Sequence, residues 1–374
     1  MLFIFKYVSF LSRNLAMLTG KEEWIVSIAL PIGISFFTFQ LMSYIFDIYY
    51  GNAKAQKNVL DVALYISLFP QLIAGPIVRY ETVEMEIHER KETPEDFTQG
   101  MLRFVFGLGK KVLISNYVGL VADNIFALDS RSVAAAWLGA ICYSLQIYFD
   151  FSGYSDMAIG LGRIFGFHFC ENFNYPYIAK SVSDFWRRWH ISLSTWFRDY
   201  VYIPLGGNRV KKSRWVLNLL AVWLLTGIWH GANWTFLAWG LLYFAVLLFE
   251  KLTGLDKQKK SVVLARIYTL FVVMIAWILF RADSLTAAME YIGNLFGVGA
   301  AGLVDAEFTT NFSSCKWILL AGVVLSAPVV PWIQGRLKDR GRDIFVAATA
   351  VVIFALAILA CTKATYNPFI YFNF

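Results

Sequence analysis

Trp215-Val216-Leu217-Asn218-Leu219-Leu220-Ala221-Val222-Trp223-Leu224-Leu225-Thr226-Gly227-Ile228-Trp229-His230-Gly231-Ala232-Asn233-Trp234-Thr235-Phe236 decides the fold. It reads as one apolar arm, Trp215–Trp229, a turn, and the start of a second arm, Ala232–Phe249. Neither arm carries a charged side chain, and stretches of that kind belong in lipid. An imidazole stands at the turn. Ionisable groups are costly at membrane depth, so His230 is a functional candidate by default. A neutral imidazole can accept a proton near neutral pH, which is the attribute of a general base.

Charge around the hairpin gives it a direction. Arg209–Arg214 precede it and Lys251–Lys260 follow it. Lysine and arginine collect on the cytoplasmic side, so both ends face the cytoplasm and the tip points outward. Val262–Phe280 then crosses into Asp283–Cys315, a stretch with Asp283, Glu290, Asp305 and Glu307 but no lysine or arginine. Trp317–Ile333 returns to the basic Arg336–Arg342 loop, and the last segment leaves the C-terminus outside. The first arm has 15 residues, about 22 Å of helix, whereas the hydrocarbon core is about 30 Å thick. His230 is therefore expected below the outer surface, at the floor of an external vestibule.

Composition agrees with an integral membrane protein. The 374 residues are 58% hydrophobic and 16% charged, with a mean hydropathy of +0.56. Runs such as Phe271–Phe280 and Phe345–Ala360 suit lipid. The net charge of +7 is no sign of nucleic-acid binding, because the basic residues fall in short clusters between apolar runs: Asn208–Arg214, Lys251–Lys260 and Arg336–Arg342. Cys142, Cys170, Cys315 and Cys361 have no paired spacing, so neither a metal site nor a disulfide framework is suggested. Met1–Leu18, interrupted by Lys6 and Arg13, is a poor spanning helix and not a cleavable signal.

The expected architecture is all-α and polytopic, with no internal repeat. Candidate segments are Trp24–Phe46, Val59–Val78, Phe97–Phe126 (broken by Lys110-Lys111), Val133–Phe149, the two hairpin arms, Val262–Phe280, Trp317–Ile333 and Ile344–Cys361. Pro31, Pro70 and Gly75-Pro76 interrupt the early ones, a break tolerated where protein or a water-filled cavity satisfies the freed backbone groups.

Two polar blocks stand out. Ser183–Leu205 reads as one helix, capped by Ser183, with Trp186, Trp189, His190, Leu193, Phe197 and Tyr200 on one face and Arg187, Arg188, Ser194, Arg198 and Asp199 on the other. An interfacial helix with a basic face would look the same, and His190 could be a packed core histidine. In Gln146–Gly162, Asp150, Ser152, Ser155 and Asp156 follow an apolar run, with Gly153, Gly160 and Gly162 among them. The glycines suit close helix packing. The aspartates need partners, which the arginine-rich helix is expected to supply; a carboxylate could also orient a histidine. His88, in the charged loop Arg79–Glu95, reads as solvated, and His168 as structural or interfacial.

Tyr148–Ala158, Phe185–Tyr200, Gly206-Gly207-Asn208-Arg209 and Gly227–Asn233 together closely resemble the membrane-bound O-acyltransferase superfamily, in its alginate O-acetyltransferase branch. Leu30–Phe36, Ile73-Ala74-Gly75-Pro76 and Asn367–Phe372 fit the same branch. The resemblance covers nearly the whole chain, 1–374, as one membrane domain. Relatives carry further hydrophobic helices before the part matching Met1–Phe10, so the chain is expected to lack the family's N-terminal helices. The resemblance implies a helical ring, with re-entrant or interfacial helices around a central tunnel. It also implies that His230 is the catalytic residue and His190 the second histidine. Asp150, Ser152, Asp156, Arg187, Arg188, Trp229 and Asn233 are supporting candidates.

The function implied is transfer of an acetyl or other small acyl group from a cytoplasmic thioester toward an extracytoplasmic polysaccharide hydroxyl at the cell membrane. No cofactor is expected to be bound, acetyl-CoA or another acyl thioester being the donor substrate. A secreted or membrane-tethered acetyltransferase is the expected partner. Lys211, Lys212 and Arg214 could attract the donor's phosphates; His230 would deprotonate the acceptor, and His190 would polarise the carbonyl or orient the acceptor. With no nucleophilic serine or cysteine motif, direct transfer is favoured. The alternatives are D-alanyl transfer to teichoic acid, and a transporter or scaffold without chemistry.

Overall fold

The computed structural model describes residues 2–257 and 261–363, and every regular element among them is helical. The last residues of the Lys251–Lys260 cluster and the 367–372 motif lie outside the described residues.

Helices begin where a short polar side chain precedes an apolar run and accepts a free backbone N–H of the first turn. Asn58 caps α3 (Val59–Ser67), which follows α1 (Leu2–Thr19) and α2 (Ile34–Tyr49). After α4 (Phe69–Leu72) and α5 (Tyr80–Glu89), Thr93 caps α6 (Pro94–Gly109), with Pro94 in the first turn where its missing N–H costs nothing. A π-helical segment, Lys110–Ser115, carries α6 directly into α7 (Asn116–Phe126). Ser132 caps the 32-residue α8 (Val133–Ile164). Two short helices follow, α9 (Val182–Trp186) and α10 (Ile191–Phe197). The hairpin is α11 (Lys212–His230) and α12 (Trp234–Thr253), the latter capped by Asn233. The remainder is α13 (Val262–Arg281), α14 (Leu285–Leu295), α15 (Ala306–Leu325), α16 (Val329–Gln334) and α17 (Asp339–Lys363).

Among the described residues, six helical stretches are long and apolar enough to cross a membrane: Pro94–Phe126, Val133–Ile164, α12, α13, α15 and α17. α8 is the pillar, packing on α6, α7, α13, α14 and α15. Glycines set how closely it meets α6. A Cβ on Gly100 would lie 2.6 Å from the Gly160 carbonyl oxygen, and one on Gly107 2.6 Å from that of Gly153. The two backbones touch at both levels, as small residues permit in membrane helices. The packing role read for Gly153 and Gly160 therefore holds. Gly107→Val is expected to force the crossing apart and cost about 1–3 kcal/mol or more, seen as a lowered unfolding temperature in detergent; an unchanged temperature would refute the close crossing.

Several expected segments come out differently. Trp24–Phe46 does not span as a helix: residues 25–33 are non-helical, and α2 starts only after Pro31 and Gly33, the latter at φ 76°. Val59–Val78 splits into α3 and α4 at an extended Leu68, ahead of Pro70. Lys110-Lys111 does not break Phe97–Phe126; the chain widens into a π turn and continues, because both lysines meet aspartates on α8. Trp317–Ile333 is displaced: α15 starts earlier, capped by Asp305, and ends before Ser326-Ala327-Pro328. Asp283–Cys315 includes all of α14 and the first half of α15. His88 stands in α5 rather than in a loop, its half-exposed Nε2 2.8 Å from the Asp61 carboxylate. His168 Nδ1 lies 2.8 Å from Glu86, a structural contact.

Candidate functional site

The block Ser183–Leu205 is not one helix. Ser181, not Ser183, caps α9 by accepting the Asp184 N–H at 3.0 Å. The Val182 and Ser183 N–H groups donate to the wholly buried Glu250 carboxylate on α12, at 2.7 and 2.9 Å. The chain then turns, and His190 takes a left-handed conformation, φ 44° and ψ 56°, before α10 begins. Side chains with a Cβ rarely adopt it. Asn172 holds the turn. Its carbonyl accepts the Ile191 N–H at 2.9 Å, and its Oδ1 accepts from Ser192 N–H at 3.3 Å and Ser192 Oγ at 2.9 Å. A backbone N–H only donates, so this amide oxygen faces His190 as an acceptor. His190 Nδ1, 3.1 Å away, must then be the donor. The lone pair of the neutral ring is on Nε2, which has no hydrogen-bond partner among the described residues. The ring is 1% exposed, edge-on to Phe151 and near Phe36 and Trp229. Trp186, Trp189, Leu193 and Phe197 are buried as expected.

The arginines do not serve the aspartates. Arg188 pairs with Asp184 at 3.0 Å, and exposed Arg187 makes no ion pair among the described residues. Asp156 instead takes Arg103 at 2.8 Å and Lys110 at 2.5 Å, and Asp150, 1% exposed, takes Lys111 at 2.6 Å. These partners lie on α6 and the π segment, the elements packed along that face of α8. Ser152, between the two aspartates on α8, is buried. Asp150 and Asp156 thus pair across the contact of α8 with α6 and the π segment.

His230 ends α11, 6% exposed, with its ring edge-on to Trp229, Trp239 and Phe280 at centroid distances of 4.9, 4.9 and 5.0 Å. The hairpin closes tightly beneath it: a Cβ on Gly227 would lie 2.5 Å from the Phe236 carbonyl oxygen, and one on Gly240 2.4 Å from that of Trp223. Asn233 shapes the turn, accepting Thr235 N–H at 3.2 Å and donating to the Asp283 carbonyl at 2.9 Å. Trp229 packs on Phe36 and Phe39.

His230, 6% exposed, contributes to the lining of a small cleft partly continuous with the outside, together with Lys6, residues 30–36, Ile73 and Trp229. A second groove, about 1070 Å³, lies between α9–α10 and α11 and is lined by Ser183, Trp186, Arg187, Arg198, Trp223 and Thr226 among others. Thr226 is one helical turn before His230 on α11. Trp186 packs on Trp239, and Trp239 on His230, so groove and cleft flank one aromatic stack.

Sequence reasoning missed Lys6 and Asn172. Lys6 registered only as a charge spoiling an apolar stretch, although a lone lysine there was itself the signal. Asn172 lies in Glu171-Asn172-Phe173, with nothing in its spacing to tie it to His190.

An imidazole lining a cleft at the end of a tryptophan-rich hairpin in a polytopic helical fold fits one class: the chain belongs to the MBOAT, membrane-bound O-acyltransferase, family, whose model matches residues 54–287. It is a multi-pass membrane acyltransferase. Among particular relatives, it is 40% identical to the "Probable alginate O-acetylase AlgI" of Azotobacter vinelandii, over 99% of this chain and 82% of that protein. It is 32% identical to the "Peptidoglycan O-acetyltransferase" of Helicobacter pylori, over 99% of this chain and 79% of the relative. Identity to the "Teichoic acid D-alanyltransferase" of Bacillus subtilis is 33%, over 58% of each chain.

Proposed function

We propose that this chain transfers an acetyl group from a cytoplasmic thioester, acetyl-CoA or an equivalent, to a hydroxyl on the way to an extracytoplasmic polysaccharide of the alginate type. The observation that carries the reading is His230 at the end of an open cleft, with the second groove approaching the same aromatic stack from another side. A cleft at the imidazole and a groove on the other side of its aromatic stack suit a donor and an acceptor that arrive separately. His230 takes the acceptor's hydroxyl proton as the oxygen attacks the acyl carbon. His190, with its lone pair on Nε2, acts as a hydrogen-bond acceptor and orients rather than polarises. The basic residues Lys211, Lys212 and Arg214 draw the donor's phosphates by charge, and Arg187 adds a free cation at the mouth of the groove. The site sits in the cytoplasmic membrane of the cell, with the hairpin tip outward, and hands its product to a secreted or membrane-tethered acetyltransferase.

The relatives named for O-acetyl transfer match over nearly the whole chain, the one named for D-alanyl transfer over little more than half, which favours acetyl over D-alanyl transfer. The test is incorporation of label from acetyl-CoA into polymer by membranes containing the protein. Ester-linked label that mild alkali releases is the expected result. Label arriving only from a D-alanyl thioester would replace this reading with its alternative.

A further inference from the structure

Lys6 on α1 is 8% exposed and lines the cleft that ends at His230. A buried ammonium is normally paired with a carboxylate, because an unpaired charge is expensive away from water. No carboxylate lies in ion-pair range of Lys6 among the described residues. Its Nζ donates to Ser35 Oγ at 3.3 Å and to the Trp229 carbonyl, both neutral, and lies 5.8 Å from the centre of the Trp229 ring. An ammonium has three donors, and two are accounted for. The third, and the charge itself, face a cleft shared with the imidazole.

We propose that Lys6 makes this cleft an anion site, and that the anion it meets is the oxygen of the acyl group under attack. The inference rests on the acyl-transfer reading above. In the step concerned, the acceptor O–H proton passes to His230, and the oxygen forms a bond to the thioester carbon. The carbonyl π pair moves onto the carbonyl oxygen, which becomes the negative centre beside Lys6. Collapse restores the carbonyl and breaks the C–S bond, and the departing thiolate takes the proton back from His230. The products are the ester and the free thiol. A fixed cation at the developing oxyanion lowers the barrier because it is already oriented before the charge appears.

A structural role competes. The Trp229 carbonyl is among the last of α11, which lack partners within the helix, and Tyr7 OH donates to the neighbouring Ile228 carbonyl. Lys6 and Tyr7 together cap the helix that carries His230. Three variants separate the roles. Lys6→Met is expected to lower kcat about 100-fold with KM little changed. Lys6→Gln keeps the ability to hydrogen-bond, removes the charge, and is expected to lose as much. Tyr7→Phe removes a cap without touching charge and is expected to keep most of kcat. All are read in acetyl transfer from acetyl-CoA, normalised to folded protein. The proposal is overturned if Lys6→Gln retains wild-type kcat, or if Tyr7→Phe loses as much as either lysine variant. Those results leave acyl transfer by His230 standing. Absence of transfer by the wild-type protein would remove both.

Discussion

His230→Ala is expected to lower acetyl transfer roughly a thousandfold, within the range general-base catalysis supplies, while the protein still reaches the membrane in normal amount. The expectation follows from position. The imidazole is the one ionisable side chain besides Lys6 on the described lining of the cleft, and no other histidine lines it. Removing the ring also empties space between Trp229, Trp239 and Phe280, so His230→Gln serves as a bulkier control with the same expected loss. Label incorporated from acetyl-CoA, divided by membrane-embedded protein, is the quantity to measure. Transfer within tenfold of wild type would leave the hairpin a scaffold or conduit and deny His230 its chemical role.

The second large effect is on stability. Asp150→Ala leaves Lys111 in a buried setting without the carboxylate 2.6 Å away. Removing one partner of a buried ion pair costs about 3–5 kcal/mol. The yield of folded protein and the unfolding temperature in detergent should both fall, and activity should fall only in step with them. Asp150→Leu combined with Lys111→Met removes both charges and is expected to recover much of the stability, since apolar replacement of a whole pair is often neutral. Loss of activity in a fully stable Asp150 variant would return this carboxylate to the site.

What could be read from the chain depended on range. Local signals were legible: the hairpin, most apolar helices of the second half, and the close-packing glycines of α8 follow from residues near one another, whereas the cap read at Ser183 falls at Ser181. The place of His230 at the end of the first hairpin arm was legible because the residues that set it are adjacent in the chain. The early segments failed because Pro31 and Pro70 outweigh a hydrophobic average. The partners of Asp150 and Asp156 failed for another reason. Helical periodicity tells which residues share a face but not which helix that face meets, and the face of α8 with the aspartates meets Arg103 of α6 and the lysines of the π segment. The break at His190 was hidden as well: a left-handed residue held by Asn172, 18 positions upstream, leaves no mark on an amphipathic pattern.

The π segment Lys110–Ser115 has a consequence for the gene as much as for the fold. A wide turn is an α-helix with one surplus residue, so the side chains before and after it are phased differently from those of an uninterrupted rod. Lys110 and Lys111, at the start of the segment, pair with carboxylates six positions apart on α8. A single-codon deletion between 110 and 115 would take out that surplus and restore ordinary winding with α7 still on its present faces, whereas one in the α-helical parts of Pro94–Phe126 would rotate everything downstream by about 100°.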